Sequence, residues 1–139
     1  MDRRIALVLA VMFAGSVLCA VEEKSVMNTS VSRRALLKAT IEPGKTVTVV
    51  EIQEVTMVPG QKAPLHLHPC PTMGVVTEGS IAFQIEGQLV RYLKAGDAFY
   101  EPANVRVARF DNDGTTPAKF VVHYLLGLDE HETVQIVKK

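Results

Sequence analysis

The stretch Gly60-Gln61-Lys62-Ala63-Pro64-Leu65-His66-Leu67-His68 sets two of the chain's four histidines two residues apart, the first six past a glycine. On a strand, residues i and i+2 point to the same face. Two imidazoles so placed can converge on one first-row metal ion through their neutral nitrogens. The competing reading is a pair of polar residues in a fold that no longer holds metal. What flanks the pair decides how far the metal reading goes.

Working outward, the chain from Arg33 onward reads as short strands separated by turn residues. Upstream of the pair, 35–41 is a candidate strand closed by Glu42-Pro43-Gly44-Lys45. The segment 46–57 is rich in Val, Ile and Thr and ends at Val58-Pro59-Gly60. Its apolar residues do not alternate cleanly, which predicts a bulge or bend. Downstream, 73–77, 80–85, 89–93, 98–100, 105–110 and 118–126 read as strands, and 133–137 as an added edge strand. Glu78-Gly79, Glu86-Gly87-Gln88, Gly96-Asp97 and Asp111-Asn112-Asp113-Gly114 supply turns between them. No long amphipathic helix competes. Many short strands at close spacing argue for an all-β sandwich or barrel.

The first 20 residues read differently. Met1-Asp2-Arg3-Arg4 is basic, Ile5 to Ala14 is apolar, and small residues follow to Ala20. That is the pattern of a secretory signal peptide, cleaved after Cys19 or Ala20. Its apolar stretch is short for a membrane span, which takes about 20 residues. Lipidation at Cys19 is disfavoured because Leu18, not a small residue, precedes it. The expected organisation is a signal peptide over 1–20, a flexible lead-in over 21–33 and a domain over 34–139. The product would be exported, periplasmic or secreted, with no membrane association after cleavage. It would keep Cys70 alone and so have no internal disulfide. Lys plus Arg and Asp plus Glu are 15 each, with no basic run suited to nucleic acid or an anionic membrane.

The residues also carry a family resemblance. Gly60-x5-His66-x-His68 followed by Glu78-Gly79 resembles the first cupin motif, and Gly96-Asp97 with Pro102 resembles the opening of the second. The phrases His66-Leu67-His68-Pro69-Cys70-Pro71 and Phe99-Tyr100-Glu101-Pro102 are similar to those of small exported bacterial cupins. The resemblance spans roughly 49–126. It implies a jelly-roll β-barrel with the motif residues lining its interior, and it implies little about activity, because cupins serve many functions.

The departures from the cupin pattern matter as much. Where that pattern implies a carboxylate ligand, the chain has Thr72. Where it implies a third histidine, the chain has Val107, and Asn104 replaces a glycine. His66 and His68 are thus the metal-ligand candidates. His123 is a further one on a strand whose face cannot be read, since both phases are apolar. If Val107 points inward, Arg109 shares its face, so Thr72, Val107 and Arg109 are expected to line the pocket. Cys70, between two prolines, reads as a small turn residue. Glu78 and Asp97 read as turn residues, and His131 as solvent-exposed.

Three functions fit. One is a binding protein for a small polar molecule with a reduced two-histidine site, holding one divalent Fe, Mn, Ni or Zn ion or no metal. Another is a metal-dependent oxygenase or isomerase using His66, His68 and His123. The third is a non-catalytic barrel that assembles as a homodimer through exposed strand edges.

Overall fold

The computed structural model describes residues 31–138. The expected signal peptide and residues 21–30 of the lead-in lie outside the described residues. Nine strands follow in chain order: β1 (Val49–Met57), β2 (His66–Leu67), β3 (Thr72–Glu78), β4 (Ser80–Ile85), β5 (Arg91–Lys94), β6 (Ala98–Glu101), β7 (Arg106–Asp111), β8 (Ala118–Leu126) and β9 (Gln135–Ile136). They form two antiparallel sheets, β1-β8-β3-β6 and β5-β4-β7-β2-β9. This is the jelly-roll arrangement expected. The β4 and β8 bounds coincide with the sequence reading, and β9 is an edge strand as predicted. The candidate strand over 35–41 is not formed. Nor does β1 contain a bulge: its register with β8 runs unbroken from Val49↔Leu126 to Met57↔Ala118. Its irregular pattern arises because β1 is a sheet edge that leaves Val50 and Ile52 exposed.

The core lies between the sheets. β8 shows why its face was unreadable from sequence: residues from Ala118 to Leu126 alternate buried and half-buried, with apolar residues in both phases. Phe83 from β4, Phe99 from β6, Phe110 from β7 and Phe120 from β8 form a mutual aromatic cluster, with centroids 4.9 to 6.1 Å apart in tilted or edge-to-face pairs. Gly74 in β3 makes room for it. A Cβ there would come within 2.4 Å of Phe99 Cζ and 2.5 Å of the Val121 carbonyl.

Two features of this frame bear on the site. In β7, Gln84 pairs with Arg109 but Ile85 pairs with Val107, so Ala108 is an extra residue. An extra residue inverts the alternation beyond it. Val107 and Phe110 therefore both point inward, and Arg109 faces outward. The second feature is Asn104, whose φ is +61°. This left-handed conformation is the one a glycine would take without strain and asparagine tolerates well. It aims the Asn104 N–H at the His68 carbonyl, 2.7 Å away.

Candidate metal centre

β2 is only two residues long, yet it is held on both sides: His66 pairs with Val107 of β7 and with Ile136 of β9. That pairing keeps the segment extended, and the period of two then sends both imidazoles inward as expected. His66 and His68 are both buried, with their ring centroids 5.2 Å apart in an edge-on arrangement.

Each ring is fixed through one nitrogen. His66 Nδ1 lies 2.7 Å from the Pro64 carbonyl, and His68 Nδ1 contacts the Thr133 carbonyl. A carbonyl only accepts, so each Nδ1 carries the proton and donates it. In the neutral ring the Nε2 lone pair is left free as a ligand. Backbone orientation of this kind is what metal-binding histidines commonly have.

Glu101 closes the group. It ends β6, where Phe99 and Glu101 point inward and Tyr100 outward. One Glu101 oxygen, Oε2, lies 2.9 Å from His68 Nε2, while its other oxygen, Oε1, is buried without a partner among the described residues. Ligand atoms from His66, His68 and Glu101 all lie within 4.8 Å of one another. All three residues are buried. Burial works against a charge on His68. The hydrogen bond and negative charge of Glu101, with the Thr133 carbonyl, outweigh it and raise the imidazole above its ordinary value. An orphaned carboxylate oxygen beside two fixed imidazoles is a donor set suited to a divalent cation, which would supply the partner that Oε1 lacks.

The sequence reading ends strand β6 at Tyr100 and leaves Glu101 outside it. The missed signal was alternation, since Phe99 and Glu101 share a face of one strand. The register shows which acid lies beside Thr72, the residue that stands where the cupin pattern implies a carboxylate. Thr72 of β3 pairs directly with Glu101 of β6. An acid thus stands at the cross-strand neighbour of Thr72, whose own hydroxyl donates to the Cys70 carbonyl at 3.1 Å.

The other expected residues are corrected as follows. His123 does not join the group. It faces outward, opposite Tyr124, and lines an outer-surface groove with Leu36, Val50 and Met73. Val107 and Thr72 are fully buried in the interior but form no part of the cavity wall. Arg109 lies on the outside because of the β7 bulge, paired with Asp111 at 2.8 Å and with Asp113. Cys70, read as a turn residue, is a fully buried part of the core, and burial holds its thiol above the ordinary value.

The three ligand candidates open into a cavity of about 260 Å³ between the sheets. Tyr124 shares it, with its ring centroid 5.7 Å from that of His68. Burial, and then the negative charge of Glu101, push its phenol up to about 12, so it stays a hydrogen-bond donor.

Fold and site together define a small β-barrel with a buried His-His-Glu cluster. The chain belongs to the cupin family: the Cupin domain matches residues 53–124, just over half of its length. No curated protein matches it. Among solved structures it resembles an oxalate oxidase in complex with the substrate analogue glycolate, at 26% identity and a TM-score of 0.56. That match covers 63% of this chain and 46% of the oxidase. A sugar phosphate isomerase of the cupin superfamily from Silicibacter pomeroyi is similar at 26% identity and a TM-score of 0.53, covering 65% and 57% of the respective chains. A DMSP lyase from Ruegeria pomeroyi shares the fold at 22% identity and a TM-score of 0.54, covering 63% and 42%. This chain thus spans about half the length of these proteins.

Proposed function

We propose that the chain is an exported cupin that binds a small oxygen-bearing molecule at one divalent first-row metal, held by His66, His68 and Glu101. The observation that carries this is the buried cluster, in which both imidazoles are locked through Nδ1 and one carboxylate oxygen has no partner. Two histidines and one carboxylate on one side of an ion leave positions open for ligand oxygens, the pattern of non-haem iron oxygenase sites. When bound, the metal supplies Lewis-acid polarisation of those oxygens. The protein's residues do the rest. His66 and His68 present fixed nitrogen donors, Glu101 supplies charge, and Tyr124 lines the same cavity with a phenol that keeps its proton. The glycolate in the similar oxalate oxidase illustrates the kind of head group meant, a carboxylate with an adjacent hydroxyl.

Metal analysis tests the reading. Protein purified without chelator and loaded in turn with Fe, Mn, Ni and Zn is expected to hold about one ion per chain. His66→Ala with His68→Ala is expected to hold none, and His123→Ala to bind as wild type. Failure of the wild type to retain any of the four metals refutes it. Light scattering tests the homodimer reading, which rests on the exposed Val50 and Ile52 of edge strand β1.

A further inference from the structure

The cavity is two-sided in its chemistry. Among the described residues, its polar lining apart from Tyr124 is confined to His66, His68 and Glu101 at one end and to the exposed Gln61 and Lys62 at the mouth. Between them the wall is aliphatic and aromatic. Phe99, Phe110 and Phe120 meet there at centroid distances of 4.9 to 5.9 Å, with Val55 and Met57 beside them.

We propose that this site selects 2-hydroxy acids or related chelating acids that carry an apolar, ring-sized body, with the oxygens at His66, His68 and Glu101 and the body against Phe99, Phe110 and Phe120. The proposal rests on the metal-site reading above and adds the class of ligand. Size permits it. A cavity of roughly 150 Å³ lined by apolar side chains holds a benzene ring, and this one measures about 260 Å³. Wall chemistry then discriminates. A sugar phosphate would set several hydroxyls against three phenylalanines with no partner, and each unpaired buried polar group costs about 1–3 kcal/mol. A small dicarboxylate would fill the polar end and leave the aromatic wall wet. A phenyl-bearing acid satisfies both ends, because its ring removes apolar surface from water while its oxygens reach the metal. Tyr124, whose ring centroid lies 5.7 Å from that of His68, adds one more polar side chain to the cavity wall.

Glycolate and mandelate test this directly, since mandelate is glycolate with a phenyl group in place of one hydrogen. Full-chain protein is loaded with zinc, cleared of excess metal, assayed for zinc content and titrated calorimetrically with each acid and with glucose 6-phosphate. Mandelate is expected to bind at least about tenfold more tightly than glycolate, as burial of the ring requires. Phe120→Leu, which removes one aromatic face of the wall, is expected to weaken mandelate binding more than glycolate binding and so to cut that preference. Equal affinities for the two acids, or tighter binding of the sugar phosphate, overturn the ligand class even when zinc is stoichiometric. A preference that survives Phe120→Leu overturns the placement of the ring. A wild-type sample that takes up no zinc overturns the metal reading and this proposal with it.

Discussion

Replacing Glu101 by glutamine removes one negative charge and almost no volume, so its effects can be worked out from the contacts of that carboxylate. Take the metal-loaded protein first. A metal ion at about 100 times its dissociation constant stabilises the fold by about 2.7 kcal/mol. In a domain of roughly 100 residues, that raises the midpoint of thermal unfolding by about 11 °C, at about 4 °C per kcal/mol. Even outer partners of metal ligands cost about 10- to 100-fold in affinity when removed. On that lower bound, the same metal concentration stabilises Glu101→Gln by only about 0.4–1.4 kcal/mol, or about 2–6 °C. The metal-free protein responds to a different extent at different pH. The His68 pKa is raised in the fold, so its contribution to stability is fully present below the unfolded value of 6.5 and is lost as pH rises through the folded value. Below pH 6.5, Glu101→Gln loses a buried charge-assisted hydrogen bond worth about 1.5–3 kcal/mol. Well above the folded pKa, wild-type Glu101 faces an unprotonated Nε2 and carries an orphaned oxygen, whereas a glutamine amide can donate to that nitrogen. The substitution is therefore expected to cost metal-free protein more at pH 5.5 than at pH 9. Scanning calorimetry at both pH values, with and without zinc, checks all of this. A zinc-induced shift in Glu101→Gln equal to that of wild type refutes Glu101 as a ligand. A penalty independent of pH refutes the His68–Glu101 pair.

Three further outcomes are expected. Gly74→Ala drives a Cβ into Phe99 and the Val121 backbone, and its cost of about 1–3 kcal/mol is checked by denaturant unfolding. Cys70 is fully buried with its thiol raised, so it should resist alkylation at pH 8 in the native protein and react fully in denaturant, as followed by mass spectrometry. N-terminal sequencing of the protein recovered from the exported fraction of an expressing bacterium is expected to begin at Ala20 or Val21, whereas an intact Met1 in that fraction refutes cleavage there.

Much of the fold was legible because its signals are local. Turn residues bounded the strands, and the interval of two between His66 and His68 fixed their shared face wherever that segment is extended. The errors came from non-local causes. Arg109 was assigned to the interior by counting two from Val107, a count that the extra Ala108 invalidates. Only the pairing of β7 with β4 reveals that residue. His123 could not be oriented because β8 is apolar in both phases, its outer face being half-covered.

Glu101 is the instructive miss. Aligning residues to the family's motifs positions the carboxylate at Thr72, finds a threonine and scores the site as degraded. The sheet scores it differently. Thr72 and Glu101 face each other across β3 and β6, and side chains directly opposite on antiparallel strands have Cβ atoms about 5 Å apart. A metal requires donor atoms within reach of one another, from whatever strand they come. A carboxylate can therefore change strands without leaving the site. No cross-strand neighbour performs the same service at Val107. Its partners across the sheet are His66, already a ligand candidate, and Ile85, which is aliphatic. The substitution at Thr72 is thus compensated and the one at Val107 is not. That asymmetry leaves a cluster of two histidines and one carboxylate, with a valine where the family pattern implies a third imidazole.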